Sequence, residues 1–148
     1  MGADVREAGP ADAPRIAELL GQLGYPASHE EVARRLQYWA ATPNSCILLA
    51  DESGLVVGCL SVHAVPYLER TGCWARIESL VVDTTVRGRG VGRALVAAAE
   101  SMASGWGCLD IEVTSSRTRA DAHCFYARLG YTDVCDRSGR FIKPLGRT

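Results

Sequence analysis

The chain has 148 residues, 47% of them hydrophobic, and its 16 basic and 17 acidic side chains leave a formal net charge of −1. That length suits one compact domain spanning 1–148, and the even charge balance argues against a broad nucleic-acid footprint, so any anion site has to be local. No apolar run approaches the roughly 18 residues needed to cross a bilayer, so no membrane association is expected.

The opening "MGADVREAG" carries no apolar signal segment. Met1-Gly2 resembles a myristoylation start, but Arg6 occupies the position that needs Ser or Thr. Cys46, Cys59, Cys73, Cys108, Cys124 and Cys135 are widely spaced, with no C-x-x-C pair. Most lie in apolar strand-like runs, where a free cysteine behaves as a small hydrophobe. His29, His63 and His123 show no ligand spacing to one another or to the cysteines. The expectation is therefore no metal, reduced thiols and a cytoplasmic location.

A short strand around "DVREAG" precedes "DAPRIAELLGQLG", where Ile16, Leu19, Leu20 and Leu23 recur at helical spacing between an N-cap at Asp12 and a stop at Gly24. "SHEEVARRLQYWA" follows as a second helix, with Ser28 and Glu31 in a capping-box pattern and Val32, Leu36 and Trp39 on one face. "SCILLADESGLVVGCLSVHAV" reads as a hairpin turning at Glu52-Ser53-Gly54, and "WARIESLVVD" as a further strand.

Beyond the stretch "VRGRGVGR", Val91, Leu95, Ala98 and Met102 define a helix ending near Gly105 or Gly107. "CLDIEVTS" is a strand, and "TRADAHCFYARLG" a helix with a Thr118–Asp121 cap and a stop at Gly130. "YTDVC" and "RFIKPL" close the chain as strands. The order β-α-α-β-β-β-α-β-α-β-β predicts a mixed α/β fold whose largely antiparallel central sheet has flanking helices and at least one parallel pair.

"VRGRGVGR", Val86 to Arg93, sits where an apolar strand turns into a helix. Such a turn presents unpaired N–H groups and the positive end of the helix dipole, which favour phosphate. Gly88, Gly90 and Gly92 let a ligand reach the main chain, and Arg87, Arg89 and Arg93 supply charge at the rim. The P-loop pattern fails because no lysine follows the glycines. The dinucleotide fingerprint fails from Gly88, where Arg93 holds the final position, and from Gly90, where Leu95 does.

The remaining spacing, R-x-x-G-x-G on Arg87, Gly90 and Gly92, resembles the acyl-CoA pyrophosphate loop of the GNAT N-acetyltransferase superfamily. A second signature of that family appears about thirty residues on as "AHCFYARLGY", and the order of elements matches as well. The resemblance implies transfer of an acetyl group from acetyl-CoA directly to a primary amine of a small molecule or peptide, in a ternary complex. It assigns the cofactor contacts to Arg87, Gly88, Arg89, Gly90, Val91, Gly92 and Arg93, and to the backbone of Leu80, Val81 and Val82, where relatives carry a strand bulge. It implies a donor set for the tetrahedral intermediate's oxygen, a route for the amine proton and an acid for the thiolate.

Tyr126 is the candidate acid. Taken alone, its position at the edge of the apolar stripe of Ala122, Phe125 and Leu129 suits a packing tyrosine equally well. Glu78 is the candidate base, sharing a face with Arg76 and Leu80 by strand alternation, or else it is Arg76's structural partner. Glu112, His63 and ordered water are further candidates. Many relatives place Asn three residues before the Ala of the second signature; here Arg119 stands there, as a phosphate contact or a solvated helix residue.

The acceptor is set, by the same resemblance, by the N-terminal helices and strand connections, which here offer Tyr25, Tyr38, Trp39, Tyr67, Glu69 and Trp74. A homodimer is compatible with it. A chain that kept the acyl-CoA cradle and lost turnover, as a sensor or structural module, is the competing reading.

Overall fold

The hairpin expected at Glu52-Ser53-Gly54 forms, and the sheet grows outward from it. Ser53 and Gly54 take φ of 52° and 93°, the handedness that matches strand twist, and Asp51 accepts from the Gly54 N–H at 2.8 Å. The computed structural model describes residues 2–115 and 120–146, in two units, one running to Thr114 and one from Ser115.

In the first unit β1 (Asp4–Glu7), α1 (Ala13–Leu23), α2 (His29–Ala40), β2 (Ser45–Glu52), β3 (Leu55–Pro66), β4 (Cys73–Val82), α3 (Val91–Gly105) and β5 (Cys108–Val113) follow one another. The strands lie in the order β1-β2-β3-β4-β5, antiparallel except for the β4–β5 pair, which α3 connects as a parallel crossover. The expected fold class, a mixed and largely antiparallel sheet with flanking helices, is the observed one.

Caps fix the helix ends. Gly24 closes α1 at φ 102°, and Ser28 and Glu31 exchange the two bonds of the capping box at 3.1 and 2.9 Å. Asp12 stands at the N-cap of α1 without capping it: its carboxylate instead accepts from the Gly9 N–H and from Arg6.

The two faces of the sheet carry different helices. Leu49, Cys59 and Val81 pack with Ile16, Leu19 and Val32 of α1 and α2. Leu60 and Leu48, paired across the hairpin, belong to the opposite face, where α3 lies with Val91, Leu95, Val96 and Ala99 buried. Each fully buried Leu contributes ~1.5–3 kcal/mol relative to exposure. Gly58 sets how near α3 can come, since a Cβ there would lie 2.9 Å from Leu95 Cδ1 and 3.0 Å from Val91 Cγ1.

Cys46 and Cys59 are buried, and burial pushes both thiols up to about 12. Parallel pairing brings Cys73 and Cys108 together at 3.0 Å between sulfurs, a contact that spacing did not foreshadow.

In the second unit α4 (Ala120–Arg128) forms and Gly130 follows it at φ 93°. The Thr118–Asp121 cap and the substitution at Arg119 lie outside the described residues. The two closing strands do not form: 131–135 and 140–145 have no ladder partner among the described residues. The bonds there close turns instead, as when Arg137 and Ser138 donate to the Val134 carbonyl. Alternation supplies propensity, but a segment this short needs a paired neighbour to persist, and Pro144 also lacks an N–H to give. Phe141 and Leu145 are accordingly 96% and 83% exposed.

Replacing Gly58 by valine should destabilise the chain by about 1–3 kcal/mol through overpacking against α3, with Gly58→Ala costing less. Urea unfolding of the two variants tests this, and wild-type stability in Gly58→Val would show that α3 is not seated there.

Candidate functional site

One residue of β4 decides the shape of the site. Val62 pairs with Ile77 and Ser61 with Ser79, so Glu78 is an extra residue, a bulge. Ile77 is also the last β4 residue to pair with β5, opposite Val113. From Glu78 to Val82 the strand keeps β3 on one side and has no strand partner on the other among the described residues. Leu80, Val81 and Val82 thus lie along an opened edge, as the resemblance implies, with Val81 buried in the core beneath α1.

The bulge corrects the expected face. Arg76 lies opposite His63 and Leu80 opposite Leu60, so the extra residue puts Arg76 and Leu80 on opposite faces. Glu78 is exposed, and its carboxylate accepts from Ser79 Oγ at 3.0 Å and Ser61 Oγ at 3.5 Å. Arg76 is not its partner; the guanidinium binds Glu112 and Thr114 Oγ1, each at 2.9 Å. Glu112, which also accepts from Trp74 Nε1 at 3.3 Å, is therefore held in a cross-strand pair. His63 meets Trp39 edge-on at 6.0 Å.

After Val82 the chain makes a 3-10 turn over Thr84–Val86 and enters α3. Asp83 caps the turn, accepting from Thr85 N at 2.9 Å and Thr85 Oγ1 at 2.8 Å and pairing with Arg15 of α1. The Thr85 N–H, then Arg15, then the Thr85 hydroxyl hold this carboxyl well below the ordinary range. Gly88 and Gly90 take φ of 83° and 85°, and no heavy atom comes within 4 Å of where their Cβ atoms would be. Gly90 is the N-cap of α3 and contributes no side-chain bond, so the first-turn N–H groups of Val91, Gly92 and Arg93 meet open backbone. This arrangement fits a pyrophosphate: donors converge, no side chain blocks approach, and the helix dipole has the right sign.

The three arginines differ. Arg89 binds Glu52 through both carboxylate oxygens, at 2.7 and 2.8 Å, beside a shallow pocket of about 180 Å³ lined by Glu52, Arg89, Gly90, Val91 and Ala94 among others. Arg87 Nε reaches the Val82 carbonyl at 3.4 Å, and Arg93 is exposed in the first turn of α3. An exposed pair such as Arg89–Glu52 is worth ~0–1 kcal/mol, so it can exchange for a phosphate contact.

Tyr126 belongs to the second unit, half-buried on α4 between Phe125 and Tyr131, whose rings lie 5.1 and 5.8 Å away. Among the suggested acceptor residues, Tyr25 and Tyr38 are exposed, while Tyr67 donates to Asp110 at 3.0 Å and packs on Trp74. Asp83, Arg15 and Gln22 were not singled out from the sequence. Asp before Thr-Thr is a capping signal that marks the turn; the two α1 residues carry no local signal.

Residues 13–131 match the acetyltransferase (GNAT) family. The chain belongs to that family. Members use acetyl-CoA as cosubstrate. This GNAT chain is 37% identical over 131 residues to the aminoalkylphosphonate N-acetyltransferase of Salmonella typhimurium, covering 88% of the chain and 80% of that protein. It is 31% identical over 117 residues to the aminoglycoside N(6')-acetyltransferase type 1 of Klebsiella aerogenes, covering 78% and 76%. A solved structure of a protein assigned as an acetyltransferase in Agrobacterium tumefaciens superposes with a TM-score of 0.85 at 30% identity, over 95% of this chain and 99% of that one.

Gly90→Val is expected to abolish acetyl-CoA binding in calorimetry while the fold survives, because there is room for the side chain but not for a β-branched residue at that φ. Retained affinity would remove the pyrophosphate assignment. A second expectation concerns acid. The Asp83 carboxyl titrates lower in the folded chain than its ordinary ~3.9, so its stabilising effect is complete above that value and fades as pH falls below it. Wild type should lose urea stability on acidification below about pH 4, and Asp83→Asn should flatten that slope.

Proposed function

We propose that the chain, as a single acyltransferase domain, moves an acetyl group from acetyl-CoA directly to a primary amine of a small molecule within a ternary complex. The observation that carries this reading is the conjunction at the end of β4: pairing with β5 ends one residue before an exposed carboxylate, and the same strand runs into an open glycine turn. A core strand with an incidental surface turn has no need of either.

Acetyl-CoA supplies the thioester acyl group and a thiolate to leave. The turn's part is to bind: Gly88 and Gly90 admit the pyrophosphate to the main chain, the first-turn N–H groups of α3 donate to it, and Arg87, Arg89 and Arg93 balance its charge. Along Leu80, Val81 and Val82, the backbone N–H groups that alternate toward the open edge, while the others face β3, would hold the acyl arm and donate to the thioester oxygen.

The amine arrives protonated, and stripping its proton at neutral pH costs roughly 4–5 kcal/mol for a group of pKa about 10.4. Glu78 takes that proton, directly or through water, onto a carboxylate oriented by the Ser61 and Ser79 hydroxyls. Tyr126 returns a proton to the departing sulfur. Two relatives named for an aminoalkylphosphonate and an aminoglycoside favour a small polar amine over a peptide as acceptor.

Acetylated product, detected by mass spectrometry after incubation with acetyl-CoA and an amine panel containing those two classes, tests the reading. Tight acetyl-CoA binding without product across the panel would transfer weight to a sensor. Tyr126→Phe should lower turnover at least about tenfold with cofactor affinity nearly kept, and unchanged turnover would take the acid role from Tyr126.

A further inference from the structure

The turn between Asp83 and Gly90 has little with which to hold its own shape. Only Asp83 and Val86 are buried within it, and Gly88 and Gly90 bring the backbone freedom of glycine. A cradle that must present several N–H groups at once cannot remain that loose, because every residue ordered on binding subtracts from affinity.

What restrains the turn comes from α1 and from the start of β3. Arg15 bridges the two: its Nε donates to the Val56 carbonyl at 2.7 Å, and its far nitrogen pairs with the Asp83 carboxylate. The Asp83 N–H donates to the next carbonyl, Val57, at 2.8 Å. In a regular strand successive carbonyls point to opposite edges. Here Asp51 pairs with Val56 and Ala50 with Gly58, so Val57 is an extra residue, and the irregularity lets both carbonyls serve the same corner. Two turns further along α1, seven residues from Arg15, Gln22 Oε1 accepts from the Thr84 N–H at 3.0 Å. The first two residues of the turn are therefore fastened to α1, and Asp83 fastens the third by capping Thr85.

We infer that Arg15 and Asp83 are positioning residues that preorganise the acyl-CoA loop, with α1 as the rigid element that holds it. The inference rests on the proposed pyrophosphate role of that loop. The pair touches no substrate; it acts through the Thr84–Val86 turn on the glycines that follow. Its members are a bonded unit, with side chains 21% and 10% exposed; removing Arg15 leaves the Asp83 carboxylate without its counter-charge at the edge of the core, and removing Asp83 leaves Arg15 only the exposed Glu18, at 3.7 Å, as counter-charge.

The test uses the full chain with Arg15→Ala, Arg15→Lys, Asp83→Ala, Asp83→Asn and the double alanine variant. Acetyl-CoA affinity is measured by calorimetry, KM and kcat by product formation, amide exchange across 84–92 by mass spectrometry, and global stability by urea. Loss of a charge-assisted bond should weaken acetyl-CoA binding about tenfold or more in either alanine variant, raise KM alike, leave kcat within about threefold and speed exchange in the turn. The double variant should lose less than the sum of the singles, because the two share the Arg15–Asp83 bond while the Val56 bond of Arg15 and the Thr85 cap of Asp83 are lost separately. Arg15→Lys should recover part of the loss, keeping the charge but not the two-point reach.

Affinity and turn exchange that stay at wild-type values in folded Arg15→Lys and Asp83→Asn variants, together with additive alanine effects, would overturn the inference. So would a kcat loss that merely follows global stability. If wild type itself fails to bind acetyl-CoA while the variants still loosen the turn, the pyrophosphate reading fails first and takes the positioning role with it.

Discussion

A strand in the middle of a sheet ordinarily has two neighbours along its whole length, and β4 does not. β3 accompanies it to Val82, whereas β5 leaves after Ile77. The rest of the site depends on that unequal pairing. Backbone groups that a closed sheet would consume stay open, and a carboxylate that alternation would commit to one face is carried on an extra residue beside two serine hydroxyls. Burying unpaired backbone costs free energy, so an edge of this kind persists only where water or a ligand can reach it. The exposed Glu78 marks such a place.

The opened strand needs a firm base, and the core supplies one on both faces. Val81 is locked beneath α1 while α3 sits against β3 over Gly58, so the sheet is anchored on either side of the point where β5 departs. α1 then has a double duty. It covers the core with Ile16 and Leu19, and from the rim of the same helix Arg15 and Gln22 grip the turn that follows β4. A packed helix is a better support for a binding loop than the loop's own glycines.

Charge is arranged in local pairs that suit a nearly neutral chain. Arg76 neutralises Glu112 across β4 and β5, Arg89 waits on Glu52, and Arg15 holds Asp83. These pairs differ in exposure and so in permanence. The Arg89 pair is open to water and exchangeable, whereas the Asp83 carboxylate is nearly enclosed and has three donors. One pair is suited to meeting an anion and the other to keeping a shape.

Much of the fold was legible before any coordinates. Caps, turns and apolar periods act over three or four residues, so Ser28 with Glu31, Gly24, the Ser53-Gly54 turn and the strand-to-helix glycines could be read from neighbours alone. The same local rules overreached at the carboxyl end, where "YTDVC" and "RFIKPL" have strand composition but no ladder. By itself the sequence determined the order of elements through α4, the glycine spacing of the loop and the family. Only the tertiary structure decided that Glu78 is a bulge, that Arg76 serves Glu112, and that Arg15 reaches Asp83 from 68 positions away. Partner choice across such separations depends on register and packing, which no local pattern encodes.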